Sequence, residues 1–351
     1  QKHLPSLKTQ KDRVDLVAFC DIIEERAIKA AKEYGTPDAK IYTDYNELLA
    51  DPDIDSVNVL TQNVAHCPIT VAAFKAGKHV ICEKPMAHNP EAAKQMMDAW
   101  KESGKKFTIG YQNRFRPEVQ AVHKACEAGE LGEIYYAKAH AVRRRAVPTW
   151  GVFPNKALQG GGPLIDIGTH ALDLTLWYMD NYDVHSVTGV SFEKMGRDPQ
   201  SCFGNNNGPW DTNTYDVEDS AIGFIKMKNG SVIALESAWA LNTLDVREAR
   251  CQLCGTKAGA EMYKGADESF QCRLNMTMGE RLVTVHPEFA VSRQAVVSTE
   301  ADGVREQKAW LDAIDNDTQP VVRPEQALKV TAILEAIYKS SATGREVIFE
   351  D

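Results

Sequence analysis

Over roughly the first hundred residues, short apolar runs alternate with helix-patterned stretches, and this rhythm narrows the fold more than any other feature. Val14–Asp21 (VDLVAFCD) is almost continuously apolar and ends in an acid, as a strand buried on both faces of a parallel sheet should read. Glu24–Tyr34 is an Ala- and Glu-rich helical stretch stopped by Gly35. A short helix at Tyr45–Ala50, a strand at Ser56–Thr61 and a helix at Ile69–Ala76 follow. Then come a strand at His79–Glu83, a helix from Pro90 to Ser103 before Gly104, and a strand at Phe107–Tyr111. Repeated βαβ units of this kind wind a parallel sheet with helices on both faces.

The rhythm changes after about residue 115. A helix over Pro117–Ala128 leads into long strands at Glu133–Val142, Val184–Glu193, Ser220–Met227 and Ser231–Trp239. The last two are joined by Asn229–Gly230, a two-residue hairpin signal, so antiparallel sheet is expected. Helices at Val304–Asp315 and Pro324–Ser341 close the chain, and Arg197–Thr214 reads as a long surface loop at the rim of a site. The expected organisation is α/β: a parallel-sheet unit over residues 1–115 and a second α/β unit over 116–351 with an open, mostly antiparallel sheet.

Composition removes several function classes. Forty Lys and Arg against forty-nine Asp and Glu leave a net charge of −9, unsuited to a phosphate backbone, so no nucleic-acid partner is expected. No apolar run reaches the ~20 residues that span a bilayer, so no membrane partner is expected either. Eight scattered cysteines and no secretory apolar segment fit a reducing, cytoplasmic setting.

Parallel sheets bind ligands at the carboxyl ends of their strands. Asp21 ends the first run, where a carboxylate accepts hydrogen bonds from ribose hydroxyls and repels a 2′-phosphate; Ile22 and Ile23 follow, with no Arg. A helix-cap role for Asp21 is the alternative. Thr61-Gln62-Asn63 and His66 cluster at the next strand end, although Asn63 also suits a helix cap. Glu83-Lys84-Pro85 ends the third, and a Lys there is costly unless it has a partner. Gly160-Gly161-Gly162 lets a backbone approach a ligand closely, and the helix beyond it sets Asp166 and His170 one turn apart. A carboxylate beside an imidazole orients a proton-transferring His. Cys251 and Cys254 have metal-like spacing, but the pair stands alone in a strand pattern, so no metal is expected.

Taken together, Glu83-Lys84-Pro85, Thr61–His66, Tyr111-Gln112-Asn113-Arg114-Phe115 and Gly160–His170 resemble the Gfo/Idh/MocA oxidoreductases, the glucose–fructose oxidoreductase and inositol dehydrogenase family. The resemblance spans essentially the whole chain. It implies an N-terminal Rossmann domain, and a C-terminal sheet that builds a homodimer or homotetramer. It further implies a nicotinamide cofactor, and Asp21 with the apolar pair after it favours NAD over NADP. Lys84, Asp166 and His170 would be the catalytic set; Asp21, Thr61, Asn63, His66, Glu83, Lys84 and Asn113 would hold the nucleotide. Two departures stand out. Gln62 replaces the family's usual Pro, and Gln1–Leu7 reads as the first helix, so the opening strand and its G-x-G-x-x-G loop are not among these residues.

The implied reaction is oxidation of a secondary hydroxyl of a sugar, cyclitol or glycoside, or reduction of the ketone. A neutral ring is expected in a pocket walled by Arg143-Arg144-Arg145, Trp150 and the Asn205–Tyr215 loop. Substrate contacts are expected from Lys84, Arg144, Trp150, Asp166, His170 and Tyr215, with a sugar acid the exception if the arginines face inward. The alternatives are an NAD-dependent glycosidase acting by transient oxidation and a non-catalytic sugar or nucleotide sensor.

Overall fold

A computed structural model describes residues 2–202, 210–264, 269–287 and 300–350. The first unit runs α1 (His3–Lys8), β1 (Ala18–Cys20), α2 (Glu24–Tyr34), β2 (Lys40–Tyr42), α3 (Tyr45–Leu49), β3 (Ser56–Val59), α4 (Asn63–Lys75), β4 (His79–Cys82), α5 (Pro90–Ser103) and β5 (Phe107–Ile109). All its strand pairs are parallel. They fall into two groups, β1–β2 and β3–β4–β5, rather than the single sheet expected.

Local chemistry explains most boundaries. The Asn89 side chain accepts the Ala92 N–H at 2.8 Å, Pro90 opens α5, and Gly104 closes it in the left-handed region at φ 66°. Two expectations need correction. β1 is only Ala18–Cys20, the C-terminal part of the apolar run Val14–Asp21, because a ladder reaches only as far as its partner β2. Helix α4 starts at Asn63 rather than Ile69 and continues through Pro68, whose ring removes the donor that would have bonded the Val64 carbonyl.

The second unit runs α6 (Pro117–Glu127), β6 (Ile134–Val142), α7 (Lys156–Gln159), α8 (Thr169–Met179), β7 (Val184–Phe192), β8 (Ser220–Met227), β9 (Val232–Ala238), β10 (Arg247–Gly255), β11 (Ala258–Lys264), β12 (Phe270–Met278), β13 (Arg281–Val285), α9 (Asp302–Asp315), α10 (Pro324–Thr343) and β14 (Val347–Ile348). Nine strands form one sheet in the order β13-β12-β11-β10-β6-β9-β8-β7-β14. Its pairs are antiparallel except β6–β9. The β8–β9 hairpin turns at Gly230 with φ 87°, as Asn229–Gly230 predicted. Helices α8 and α10 pack against this sheet. Cys251 and Cys254 lie three apart on β10 and so point to opposite faces. All eight cysteines are free thiols.

The chain returns on itself. α9 packs on α1 and on the 3₁₀ turn Gln112–Phe115, and α10 packs on α5 and β5. The strongest tie is Arg114, fully buried, whose guanidinium grips Asp173 of α8 in two-pronged fashion at 2.9 and 2.6 Å. Arg114 also donates to Gln326 Oε1 at 2.7 Å and lies over the Trp177 ring. Removing one partner strands a buried charge, so Arg114→Ala or Asp173→Ala should cost about 3–5 kcal/mol of unfolding free energy in urea titrations. An apolar replacement of both together should cost less. Losses below about 1 kcal/mol in both single variants would show that the pair does not hold the units together.

Candidate active site

The carboxyl end of β4 delivers Glu83-Lys84-Pro85 to the junction of the two units, with the Lys84–Pro85 peptide cis. The other side of the junction is a π-helical turn, Leu164–Gly168, running directly into α8. Lys84 Nζ donates to the Asp166 carbonyl at 2.7 Å and to Asp166 Oδ1 at 3.0 Å. The second carboxylate oxygen, Oδ2, accepts the indole N–H of buried Trp239 at 3.0 Å. Burial opposes ionisation of Asp166, but the charges of Lys84 and Arg143 and these hydrogen bonds hold its pKa below the usual value.

This arrangement corrects one expectation. Asp166 does not bond His170, although the two are four residues apart. A π-turn carries more residues per turn than an α-helix, which changes the angle between such positions, and the Asp166 carboxylate is committed to Lys84 and Trp239. His170 Nδ1 is buried without a hydrogen-bond partner among the described residues. Burial first, and then the Lys84 charge, push the His170 pKa down to about 3, so the imidazole is neutral at ordinary pH. Its ring meets Tyr111 edge-on at 6.2 Å, and the Tyr111 hydroxyl pairs with Thr169 Oγ1 at 2.7 Å.

The glycine run serves packing. A side chain at Gly161 would collide with the Tyr338 hydroxyl, and one at Gly162 with the Glu218 carbonyl. The buried Glu218 carboxylate accepts the N–H groups of Gly162 at 2.8 Å and Leu164 at 3.1 Å, and the Tyr338 O–H at 2.8 Å. Burial pushes the Glu218 pKa up against those bonds. Sequence reasoning missed Glu218, Tyr338 and Trp239. The adjacent acids Glu218-Asp219 at the start of a buried strand were the available signal, since buried acids are rarely unpaired.

The remaining expected residues divide. Glu83 accepts from Lys84 N–H at 2.9 Å and pairs with His3 Nε2 at 2.6 Å; burial opposes its ionisation, but His3, Lys2 and Lys84 hold it charged. Asp21 Oδ1 accepts the Ile23 N–H at 2.8 Å at the partly exposed end of β1, so part of its work is to shape the turn into α2. Asn113 is buried in the 3₁₀ turn. Thr61 is exposed, and its carbonyl faces His66. His66 is fully buried, its Nδ1 and Nε2 at 2.8 and 3.1 Å from the carbonyls of Pro85 and Thr61, while Asn63 Nδ2 donates to the Gln159 carbonyl at 2.9 Å. Both side chains thus brace backbone carbonyls near the strand ends.

On the expected substrate side, Trp150 is half exposed and stacks edge-on against Phe153 at 4.7 Å, and Phe153 meets Trp239 at 6.2 Å. Tyr215 is corrected: it is buried, and its hydroxyl donates to the Glu218 carbonyl at 3.1 Å. The Arg144 side chain is exposed, and its neighbour Arg143 is the arginine whose charge acts on Asp166. Asn205, Asn206 and Asn207 lie outside the described residues.

The unpartnered His170 nitrogen beside an ammonium with one uncommitted proton fits a hydroxyl and a hydride acceptor meeting at this point. Asp21 and Glu83 stand at strand ends suited to a dinucleotide. Fold and site together define a nicotinamide-dependent oxidoreductase with a Rossmann domain. Residues 1–111 match the oxidoreductase family described as having an NAD-binding Rossmann fold, and residues 123–349 match its C-terminal alpha/beta domain. The chain belongs to the Gfo/Idh/MocA family. The D-glucoside 3-dehydrogenase of Escherichia coli strain K12 is 35% identical over 337 residues, 96% of this chain and 91% of that protein. The levoglucosan dehydrogenase of Pseudarthrobacter phenanthrenivorans is 30% identical over 227 residues, 61% of this chain and 56% of that one. A solved levoglucosan dehydrogenase in complex with NADH superposes with a TM-score of 0.82 at 22% identity, covering 99% of this chain and 95% of that one, and so shares the fold.

The neutral imidazole has a measurable consequence. Unfolded His170 takes up a proton near its ordinary pKa of 6.5, whereas the folded residue waits until about 3. The unfolded state binds more protons across that window, so His170 makes stability fall as pH drops through it. His170→Gln should flatten the slope of Tm against pH between these limits. An unchanged slope would contradict a neutral, desolvated His170.

Proposed function

We propose that this protein oxidises a secondary hydroxyl of a neutral sugar or glycoside, the C3 hydroxyl of a D-glucoside first among them, or reduces the corresponding ketone. The observation that carries the reading is the Lys84–Asp166–Trp239 cluster beside the unpartnered nitrogen of His170. The 35% identity to a D-glucoside 3-dehydrogenase along 96% of the chain supports the substrate class. Bound NAD supplies the hydride acceptor for the hydrogen on the hydroxyl-bearing carbon. His170 takes the hydroxyl proton, for which its neutral form is the competent one. Lys84 donates its third N–H to the same oxygen and stabilises the charge that develops there. Asp166 fixes the ammonium in place, and Trp239 and the π-turn fix Asp166. Trp150 and Phe153 offer an aromatic wall for the C–H face of a ring.

Residues 1–115, with α9 laid against them, would form the cofactor unit, and 116–351 the substrate unit. Among the described residues, no helix is long and apolar enough to cross a membrane. The eight free thiols suit a reducing cytoplasm. Val190, Phe192, Ile222 and Phe224 present an apolar patch on neighbouring strands β7 and β8, suited to joining two or four copies of the chain.

Incubation with NAD and a methyl D-glucoside should release NADH and leave a 3-keto glycoside, identified by carbon NMR. Lys84→Ala and His170→Ala should each lower kcat by about 10²- to 10⁴-fold with little change in NAD affinity. Absence of NADH across glucosides, inositols and anhydro-sugars would overturn the reading, and free sugar released without net NADH would favour a glycosidase. NAD should also be preferred to NADP, because a 2′-phosphate would face the Asp21 carboxylate. Asp21→Ala should narrow that preference in kcat/KM, and equal use of both cofactors by the unaltered protein would refute the role given to Asp21.

A further inference from the structure

Resting on the proposed sugar oxidation, we infer that Glu248 sets the charge class of the substrate by occupying Arg143. The Arg143 N–H bonds the Ala238 carbonyl, continuing the β6–β9 ladder one step beyond Val142↔Ala238. Arg143 thus stands beside Trp239, whose indole holds the catalytic-cluster carboxylate of Asp166. The guanidinium is mostly buried, with 24% of its side-chain surface exposed, which places a fixed positive charge at the edge of the site. Such a charge attracts an acidic sugar, since an arginine fork matches a carboxylate in shape as well as sign. Here one arm of the fork is already engaged: Arg143 Nη2 pairs with the Glu248 carboxylate, which comes from β10 on the other side of β6.

Two consequences follow from that engagement. A substrate carboxylate arriving at Arg143 would have to displace Glu248 or sit beside a like charge, either of which is unfavourable. A neutral ring meets no such conflict, because hydroxyls can share an arginine already paired with an acid. Glu248 therefore excludes acidic sugars without needing to touch the reacting carbon, and Arg143 is the residue through which it acts. Arg144, one position along, is exposed and cannot substitute for it.

The test compares kcat/KM for a methyl D-glucoside and for the matching methyl D-glucuronide, identical except for a carboxylate at C6. Glu248→Gln retains the shape and hydrogen-bonding capacity of the side chain and removes its charge. It should raise the glucuronide-to-glucoside ratio about tenfold or more, the scale of one charge-assisted hydrogen bond. Arg143→Met introduced into Glu248→Gln should abolish that gain, which a general loosening of the pocket would not do. Glu248→Ala, with the same readout, covers the case in which the amide itself disturbs folding. An unchanged ratio in both Glu248 variants, with the unaltered protein still active on the glucoside, would overturn this inference and leave the proposed function standing. No oxidation of either sugar by the unaltered protein would overturn both.

Discussion

The arrangement depends on a charge pair that no water can replace. Arg114 and Asp173 are both buried, and each would be intolerable alone. The turn after β5 must therefore sit against α8, with Asp173 one turn beyond His170 on that helix. Tyr111 and Thr169 add a second tie within the same two segments. Since β5 pairs with β4, docking α8 on this turn also brings the end of β4 to the start of α8. Lys84 meets Asp166 because the two surfaces have already been set in register.

Within the site, one carboxylate determines the roles of its neighbours. Both Asp166 oxygens and its carbonyl are engaged, by Lys84 on one side and Trp239 on the other. The ammonium is consequently held in one place with one donor to spare, and the imidazole is left without a counter-ion of its own. Burial then keeps His170 neutral. A directly paired Asp166–His170 couple would have raised the pKa of the imidazole.

Much of the fold was legible because it rests on local chemistry. Helix α5 was readable to the residue from Pro90 and Gly104, and the β8–β9 hairpin from Asn229–Gly230. The grouping of Lys84, Asp166 and His170 came from the family resemblance, and the structure brings Lys84 onto Asp166. Their mutual bonding was not legible in the sequence. The π-turn at Leu164–Gly168 has no clear signature in sequence, yet it decides where Asp166 points. The glycines before it looked like room for a ligand and instead make room for Tyr338 and Glu218, more than fifty residues away in sequence.

His66, Asn63 and Tyr215 show the same limit from the other direction. Polar and aromatic residues near strand ends or in a rim loop have the composition of a binding site. Whether they face a ligand depends on which backbone groups need partners, and here the carbonyls of Pro85, Thr61, Gln159 and Glu218 took them. By itself the sequence determined many of the elements, several of their stops and turns, the parallel and antiparallel character of the two units, and the chemical types gathered at the strand ends. Tertiary structure alone decided which of those types touch, because hydrogen bonds and ion pairs in a desolvated junction are allotted by proximity in space, and a linear pattern does not record proximity.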